Sequence, residues 1–254
     1  MTNSALAGKQ YENTLNTKLK SVFKNIPKNA GFRSGPDLTI PSFNNPGQTL
    51  LVEVKTTTQS DFGQKAITFN GTSWVTKFNQ TEPQSIVDLY NYMYSNYNID
   101  KKIQKAWGLP NNQLTATDLQ NVISNDSLSK VLYYEKLLIQ TTGSSNPFPQ
   151  TTIASGLDVV SKIIFYYNSK GIYYIQIKNK GLYILGSDKM GLNSKLKIKI
   201  PRFAPSFADL VVRGKLSISN KIFRPTLTLK SGNVARSNFT LDNINHIKLL
   251  HSKF

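Results

Sequence analysis

No cysteine occurs among the 254 residues. That absence excludes disulfides, thiol nucleophiles and cysteine-ligated zinc, and it fits a reducing compartment. Histidine is nearly absent as well, with only His246 and His251 near the C-terminus. A Ser–His–Asp triad and a histidine-rich metal centre are therefore poorly supported. The chemistry left to the chain runs on carboxylates, lysine, hydroxyls and a recruited hard cation. Acidic residues are scarce too: 14 Asp and Glu stand against 31 Lys and Arg, a net charge of +17. A surplus of that size concentrates anions and favours a polyanionic partner, most simply nucleic acid. An anionic membrane surface is the other partner such a charge serves. Yet no run approaches ~18 consecutive apolar residues, and no long basic amphipathic helix is evident. The opening Met1-Thr2-Asn3-Ser4-Ala5 lacks the charged and apolar regions of a secretory signal. The expectation is a protein that is not secreted, working in a bacterial or phage cytoplasm or in the nucleic-acid compartment of a host cell.

The charge that is present is unevenly spread. Residues 1–80 hold 9 basic and 4 acidic side chains, residues 81–150 hold 5 and 6, and residues 151–254 hold 17 and 4. The first element reads as a helix, because Tyr11, Leu15, Leu19, Val22 and Ile26 recur at four- and three-residue steps and Pro27 sets its latest end. Short strands follow near 37–41 and 50–56, separated by the turn-rich Pro41-Ser42-Phe43-Asn44-Asn45-Pro46-Gly47, with a third at Ala66–Phe69. From Glu82 to Gln140 the pattern is helical, broken at Gly108-Leu109-Pro110 and around Asn125-Asp126, and residues 143–147 read as a loop. Beyond it the expectation is β structure at Lys162–Tyr167, Ile172–Lys178, Leu182–Leu185, Lys195–Ile200, Leu210–Ser217 and Thr226–Leu229. A last short helix is expected over Asp242–Leu250.

Two segments carry chemical information: Pro36-Asp37-Leu38-Thr39-Ile40 and Leu50-Leu51-Val52-Glu53-Val54-Lys55. In a strand, Leu51, Glu53 and Lys55 share one face and Val52 and Val54 the other. Charges inside an apolar strand are costly without partners. If Asp37 opens the neighbouring strand, its carboxylate sits beside Glu53, and their repulsion calls for a cation. Mg²⁺ suits such a pair, since it takes one or two carboxylates and completes its octahedron with water and phosphate oxygens. Lys55, one strand step away, would orient or deprotonate the attacking water or stabilise charge on the phosphate. The structural alternative is an exposed edge-strand ion pair.

Pro36-Asp37 followed by Glu53-Val54-Lys55 resembles the core motif of the PD-(D/E)XK nuclease superfamily. The resemblance reaches back to Gly8-Lys9-Gln10-Tyr11-Glu12, similar to the Gly-x-x-aromatic-Glu opening of resolvase-like and restriction-like members, and spans about residues 8–70. It implies Asp37, Glu53 and Glu12 as metal ligands, Lys55 as a catalytic residue, and Mg²⁺ as cofactor with Mn²⁺ able to substitute. The alternative for Glu12 is an ordinary first-turn glutamate favoured by the helix dipole. Arg33 and Ser34, in the loop before Pro36, become phosphate-contact candidates. Gln64 stands where many members place a Gln or Lys reaching the active site; the alternative is a surface turn.

Gly171-Ile172-Tyr173 with Tyr183-Ile184-Leu185-Gly186 is superficially like the GIY-YIG motif, but that family needs a downstream glutamate and none follows Glu135 here. A plain hairpin with Asn179-Lys180-Gly181 at or near its turn accounts for the same letters. In Lys195–Ile200 the lysines alternate with apolar residues, so a strand would present Lys195, Lys197 and Lys199 on one face, a row suited to phosphates. Arg202 and Arg213 are further DNA-binding candidates. The alternative is that these cations solvate a face or blunt an edge strand.

The sequence thus points to an α/β protein with a restriction-endonuclease-like core, a helix on a mixed β-sheet. It would carry the first part of the catalytic core at 1–80, a helical insertion at 81–150 and a basic β-rich part at 151–254 that completes the core, binds DNA, or both. The expected activity is metal-dependent endonucleolytic hydrolysis of DNA, restriction- or homing-type, by a homodimer. A Holliday-junction resolvase-like nuclease and a non-catalytic DNA-binding protein are the alternatives.

Overall fold

The computed structural model describes residues 3–27, 35–69, 73–107, 148–217 and 222–254. Among these the chain runs α1 (Asn3–Lys20), β1 (Leu38–Pro41), β2 (Thr49–Lys55), β3 (Asp61–Phe69), β4 (Trp74–Thr76), α2 (Gln84–Tyr97), α3 (Ile99–Trp107) and β5 (Thr151–Ser155). It continues through α4 (Leu157–Asn168), β6 (Tyr174–Ile177), β7 (Gly181–Ile184), α5 (Leu192–Leu196), β8 (Ala208–Ser217), β9 (Ile222–Ser231) and α6 (Ile244–Lys253). It is a mixed α/β protein with, among the described residues, two sheets and six helices. The chain divides into two compact units, 1–60 with 160–207 and 231–254, and 61–159 with 208–230.

The first unit is built on a four-stranded sheet in the order β1-β2-β6-β7. β1 and β2 are antiparallel, with Leu38 opposite Val52 and Pro41 opposite Thr49. β6 lies parallel to β2, Val54 opposite Gln176 and Lys55 opposite Ile177, and turns back into antiparallel β7. One face of this sheet carries Leu38, Ile40, Leu50, Val52, Val54, Tyr174, Leu182 and Ile184. Against it pack Tyr11, Leu15 and Leu19 of α1, one turn apart on a single helix stripe, together with Leu192 and Leu196 of α5 and Ile247 and Leu250 of α6. Alternation sends Glu53, Lys55, Ile175 and Ile177 to the other face, where the Tyr167 hydroxyl of α4 reaches Glu53. The β6–β7 turn takes left-handed conformations at Asn179 (φ 61°) and Gly181 (φ 109°). A side chain at Gly181 would also meet Phe239 O at 2.6 Å, so the position demands glycine.

The second unit holds a five-stranded sheet, β4-β3-β9-β8-β5. β3 pairs antiparallel with β9 around a register shift between Asp61 and Gly63, and β5 pairs antiparallel with β8. Trp74, Trp107 and Phe148 meet edge to face in its core, with ring centroids 5.2 and 5.3 Å apart.

Several sequence expectations are corrected. Lys162–Tyr167 is not a strand but lies within α4. Its Ile-Ile-Phe-Tyr-Tyr run has strand propensity, yet Val159, Val160, Ile163, Tyr166 and Tyr167 are buried at helical spacing. Lys195–Ile200 is not a strand either. Leu192, Leu196 and Ile200 enter the core at four-residue steps, and α5 ends where Lys197 turns left-handed (φ 54°). Lys195, Lys197 and Lys199 therefore form no strand row. α1 stops at Lys20, short of Pro27, tightening through a Val22 N–H bond to Leu19 O at 3.0 Å. β3 begins at Asp61, five residues before its expected start, because its polar first half is paired with β9. β5 was not foreseen, and the final helix runs 244–253, its N-cap Asn243 accepting the Asn245 N–H at 2.9 Å. The 171–186 segment is the plain hairpin expected. The expected helix beyond residue 107 and the loop at 143–147 lie outside the described residues.

Candidate active site

The site begins with the alternation of β2. Leu50, Val52 and Val54 are buried, while Leu51, Glu53 and Lys55 are half-buried on the opposite side. Asp37 precedes β1 by one residue. Extending the Leu38–Val52 pairing by one step puts it opposite Glu53, where antiparallel partners project to the same side. Asp37 Oδ2 accepts the Val54 N–H at 2.8 Å. Glu53 Oε1 accepts two donors, Lys55 Nζ at 2.7 Å and the Tyr167 hydroxyl at 3.3 Å. Asp37 Oδ1 and Glu53 Oε2 have no hydrogen-bond partner among the described residues. Among the described residues, each carboxylate is thus pinned by one oxygen and open at the other.

Electrostatics follow from that crowding. Burial, and next the charge of Glu53, push the Asp37 carboxyl up to about 7 from an ordinary value near 3.8. Glu12, on α1, is raised first by burial and then by Glu53, while Lys55 and Lys9 act the other way. Its titration therefore senses the same cluster. Burial alone lowers the affinity of Lys55 for its proton, but Glu53, hydrogen-bonded to it, and Asp37 outweigh that and the net shift is upward. Lys55 is an ammonium here, suited to stabilising negative charge rather than to taking a proton.

Tyr11, the neighbour of Glu12 on α1, is anchored by a buried network. The Tyr11 hydroxyl donates to Asp242 Oδ2 at 2.9 Å and accepts from Gln176 Nε2 at 3.1 Å. Gln176 Nε2 also donates to Thr240 Oγ1 at 3.0 Å, and its Oε1 accepts the Leu241 N–H at 3.0 Å. Lys18 Nζ ties α1 to Asp242 O at 2.6 Å.

Of the residues expected from sequence, Asp37, Glu53 and Lys55 converge, with Glu12 in their electrostatic range. Gln64 and Arg213 lie in the second unit, Gln64 exposed on β3 and Arg213 ion-paired with Asp61. Arg33 and Ser34 lie outside the described residues. Lys195 Nζ reaches Gln48 Oε1 at 3.5 Å and lies over the Phe254 ring, at the end of β2 opposite Glu53. Lys197, Lys199 and Arg202 are exposed. Two residues escaped the sequence reading. Tyr167 was hidden by the mistaken strand, although its spacing from Val160 and Ile163 is helical. Lys178 was only one of many basic residues, yet its N–H donates to Lys55 O at 2.9 Å and its ammonium lies 5.5 Å from the Tyr11 ring centre.

Among the described residues, no three His, Cys, Asp or Glu side chains are grouped so as to hold a metal by themselves. The donor set still fits a hard divalent cation, because Mg²⁺ is commonly held by one or two carboxylates, with water and substrate phosphates completing its shell. The open oxygens of Asp37 and Glu53 supply two. The chain matches no protein-family model, no curated protein and no solved structure, so its chemistry is read from this geometry. No helix among the described residues is long and apolar enough to cross a membrane.

Proposed function

We propose that the chain is a metal-dependent DNA endonuclease whose active site is Asp37, Glu53 and Lys55, with Glu12 as a third carboxylate. The observation that carries this reading is the pair of facing carboxylates, each open at one oxygen among the described residues, with an ammonium bonded to one of them. The order of the first unit supports a restriction-endonuclease-like core: α1, the β1–β2 hairpin, the α4 crossover and β6 parallel to β2. The charge supports the partner. The first unit carries 19 basic and 5 acidic residues, a net +14, against 12 and 9, a net +3, in the second. Such a surplus suits a phosphate backbone.

Asp37 and Glu53 would hold Mg²⁺, or Mn²⁺ in its place, through their open oxygens. When bound there the cation supplies Lewis acidity and an acidified water. Lys55 neutralises charge that develops on the attacked phosphate. Glu12, approaching from α1, adds negative charge that draws the cation in. Hydrolysis adds water across one P–O bond and leaves a phosphate monoester and a hydroxyl. Cutting both strands calls for two such sites, which a homodimer provides.

Purified protein incubated with linear, supercoiled and four-way-junction DNA tests the reading. Cleavage should require Mg²⁺ or Mn²⁺ and fall at least about a thousandfold in Glu53→Ala, given that a single preorganised electrostatic group contributes roughly 10²–10³ and this change removes a metal ligand too. Discrete plasmid fragments identify a restriction- or homing-type enzyme, and cutting confined to the junction identifies a resolvase. Tight, salt-sensitive binding without cleavage of any substrate identifies a non-catalytic DNA-binding protein.

A further inference from the structure

Tyr167 meets both charged residues of the Glu53-Val54-Lys55 segment, Glu53 through its hydroxyl and Lys55 through its ring. Its side chain is 3% exposed, and its hydroxyl donates to the same Glu53 oxygen that accepts Lys55 Nζ. Its ring centre lies 5.9 Å from that ammonium. Tyr166 packs edge-on against the ring with centroids 5.3 Å apart, and Lys170 Nζ donates to the Tyr166 hydroxyl at 2.7 Å. The tyrosine is therefore held from outside as well as from the site.

A glutamate has three side-chain torsions, and a lysine is a flexible partner for it. When Lys55 turns toward a phosphate it must loosen its hold on Glu53. A donor from a different element, locked in a helix, does not move with it. We propose that Tyr167 is a positioning residue. It fixes Glu53 Oε1 so that Oε2 stays presented to a divalent cation, and it supports Lys55 through its ring while that ammonium changes partners. Residues that orient ligands from behind in this way typically contribute about 10–100-fold to metal affinity or activity. The cation in this proposal rests on the nuclease reading; the hydrogen bond to Glu53 does not.

Tyr167→Phe removes the hydroxyl and keeps the ring, so three readouts on the folded variant decide the matter. The chain has four glutamates, Glu12, Glu53, Glu82 and Glu135. With ¹³C-carboxyl-labelled glutamate, the Glu53 resonance, assigned by its loss in Glu53→Gln, should move in Tyr167→Phe. Mn²⁺ affinity measured by calorimetry should fall about tenfold or more, and kcat for DNA cleavage should fall about 10–100-fold with KM changed less than about twofold. An unmoved Glu53 resonance overturns the proposal. So does a lowered melting temperature with Mn²⁺ affinity intact, which would make Tyr167 a packing residue only. If the wild-type chain binds no Mn²⁺ and cuts no DNA, the nuclease reading fails and the cation-presenting role fails with it. The Glu53 resonance then still decides whether Tyr167 positions that carboxylate.

Discussion

Asp37 is held where an ionised carboxylate is disfavoured: burial, then Glu53, raise it to about 7, and the Lys55 ammonium and then the Val54 N–H offset them only in part. An acid whose folded value lies above its unfolded one binds protons more tightly in the folded state. Its favourable contribution is complete below about 4 and is lost as pH rises through 7. At pH 8, without divalent ions, the fold carries an ionised Asp37 at a cost on the order of a few kcal/mol. Asp37→Asn removes the charge and keeps an acceptor for Val54. It should therefore be more stable than wild type at pH 8, with the gap closing as pH falls from 7 to 4, although it should not cut DNA. Added Mg²⁺ should raise the melting temperature of wild type and leave the variant unmoved, as ligand linkage requires. Thermal melts at pH 4, 6 and 8, with and without Mg²⁺, measure the stability changes, and a cleavage assay measures the lost activity. Equal stability at pH 8 would mean that the carboxylates do not strain one another.

At the scale of elements, α1 is set by the buried Gln176 as much as by its own apolar stripe. Gln176 is fully buried and serves Tyr11, Thr240 and the Leu241 N–H at once. Gln176→Leu keeps the bulk but strands the Leu241 N–H, at roughly 1–3 kcal/mol, and removes one bond each from Tyr11 and Thr240, which keep Asp242 as partner, so urea unfolding should show a loss of about 2–4 kcal/mol. A loss below 0.5 kcal/mol would show that α1 is held by apolar packing alone. None of this was legible beforehand, because a glutamine in an apolar run announces neither burial nor partners three segments away. What was legible followed from local periodicity: the stripe of α1, the alternation of β2 that puts Glu53 and Lys55 on one face, and the β6–β7 hairpin. Where local pattern and tertiary burial disagreed, burial decided. Ile163–Tyr167 became helix because Ile163, Tyr166 and Tyr167 are needed on one side of α4. Lys195–Ile200 lost its strand because Leu196 and Ile200 enter the core a helical turn apart. The same error concealed Tyr167, whose hydroxyl completes the Glu53 environment.

For the whole molecule, the first unit holds +14 of the +17 charge, and the position of each cation decides what it can contact. Lys178 leaves β6 beside Lys55, exposed, with its ammonium over Tyr11. Lys195 is tied to Gln48, which precedes the first residue of β2. Gln48 and Glu53 are five residues apart, so the two ends are separated by roughly 17 Å at about 3.3 Å per strand residue. That is about two Debye lengths at physiological salt, where the field of an exposed charge is largely screened. A duplex seated with a phosphate at Asp37 and Glu53 should therefore feel Lys178 as a direct contact. Lys178→Gln should weaken binding of a short duplex to a Glu53→Gln background and lower the slope of log K against log salt by about 0.9. Lys195→Gln removes the same charge and should leave the slope within error. Fluorescence anisotropy at several salt concentrations compares the two. Equal effects would mean that the duplex is held by the summed field of the unit rather than seated at the carboxylates. An effect at Lys195 alone would put the DNA at the far end of β2, away from Asp37 and Glu53, and would leave those carboxylates without a substrate.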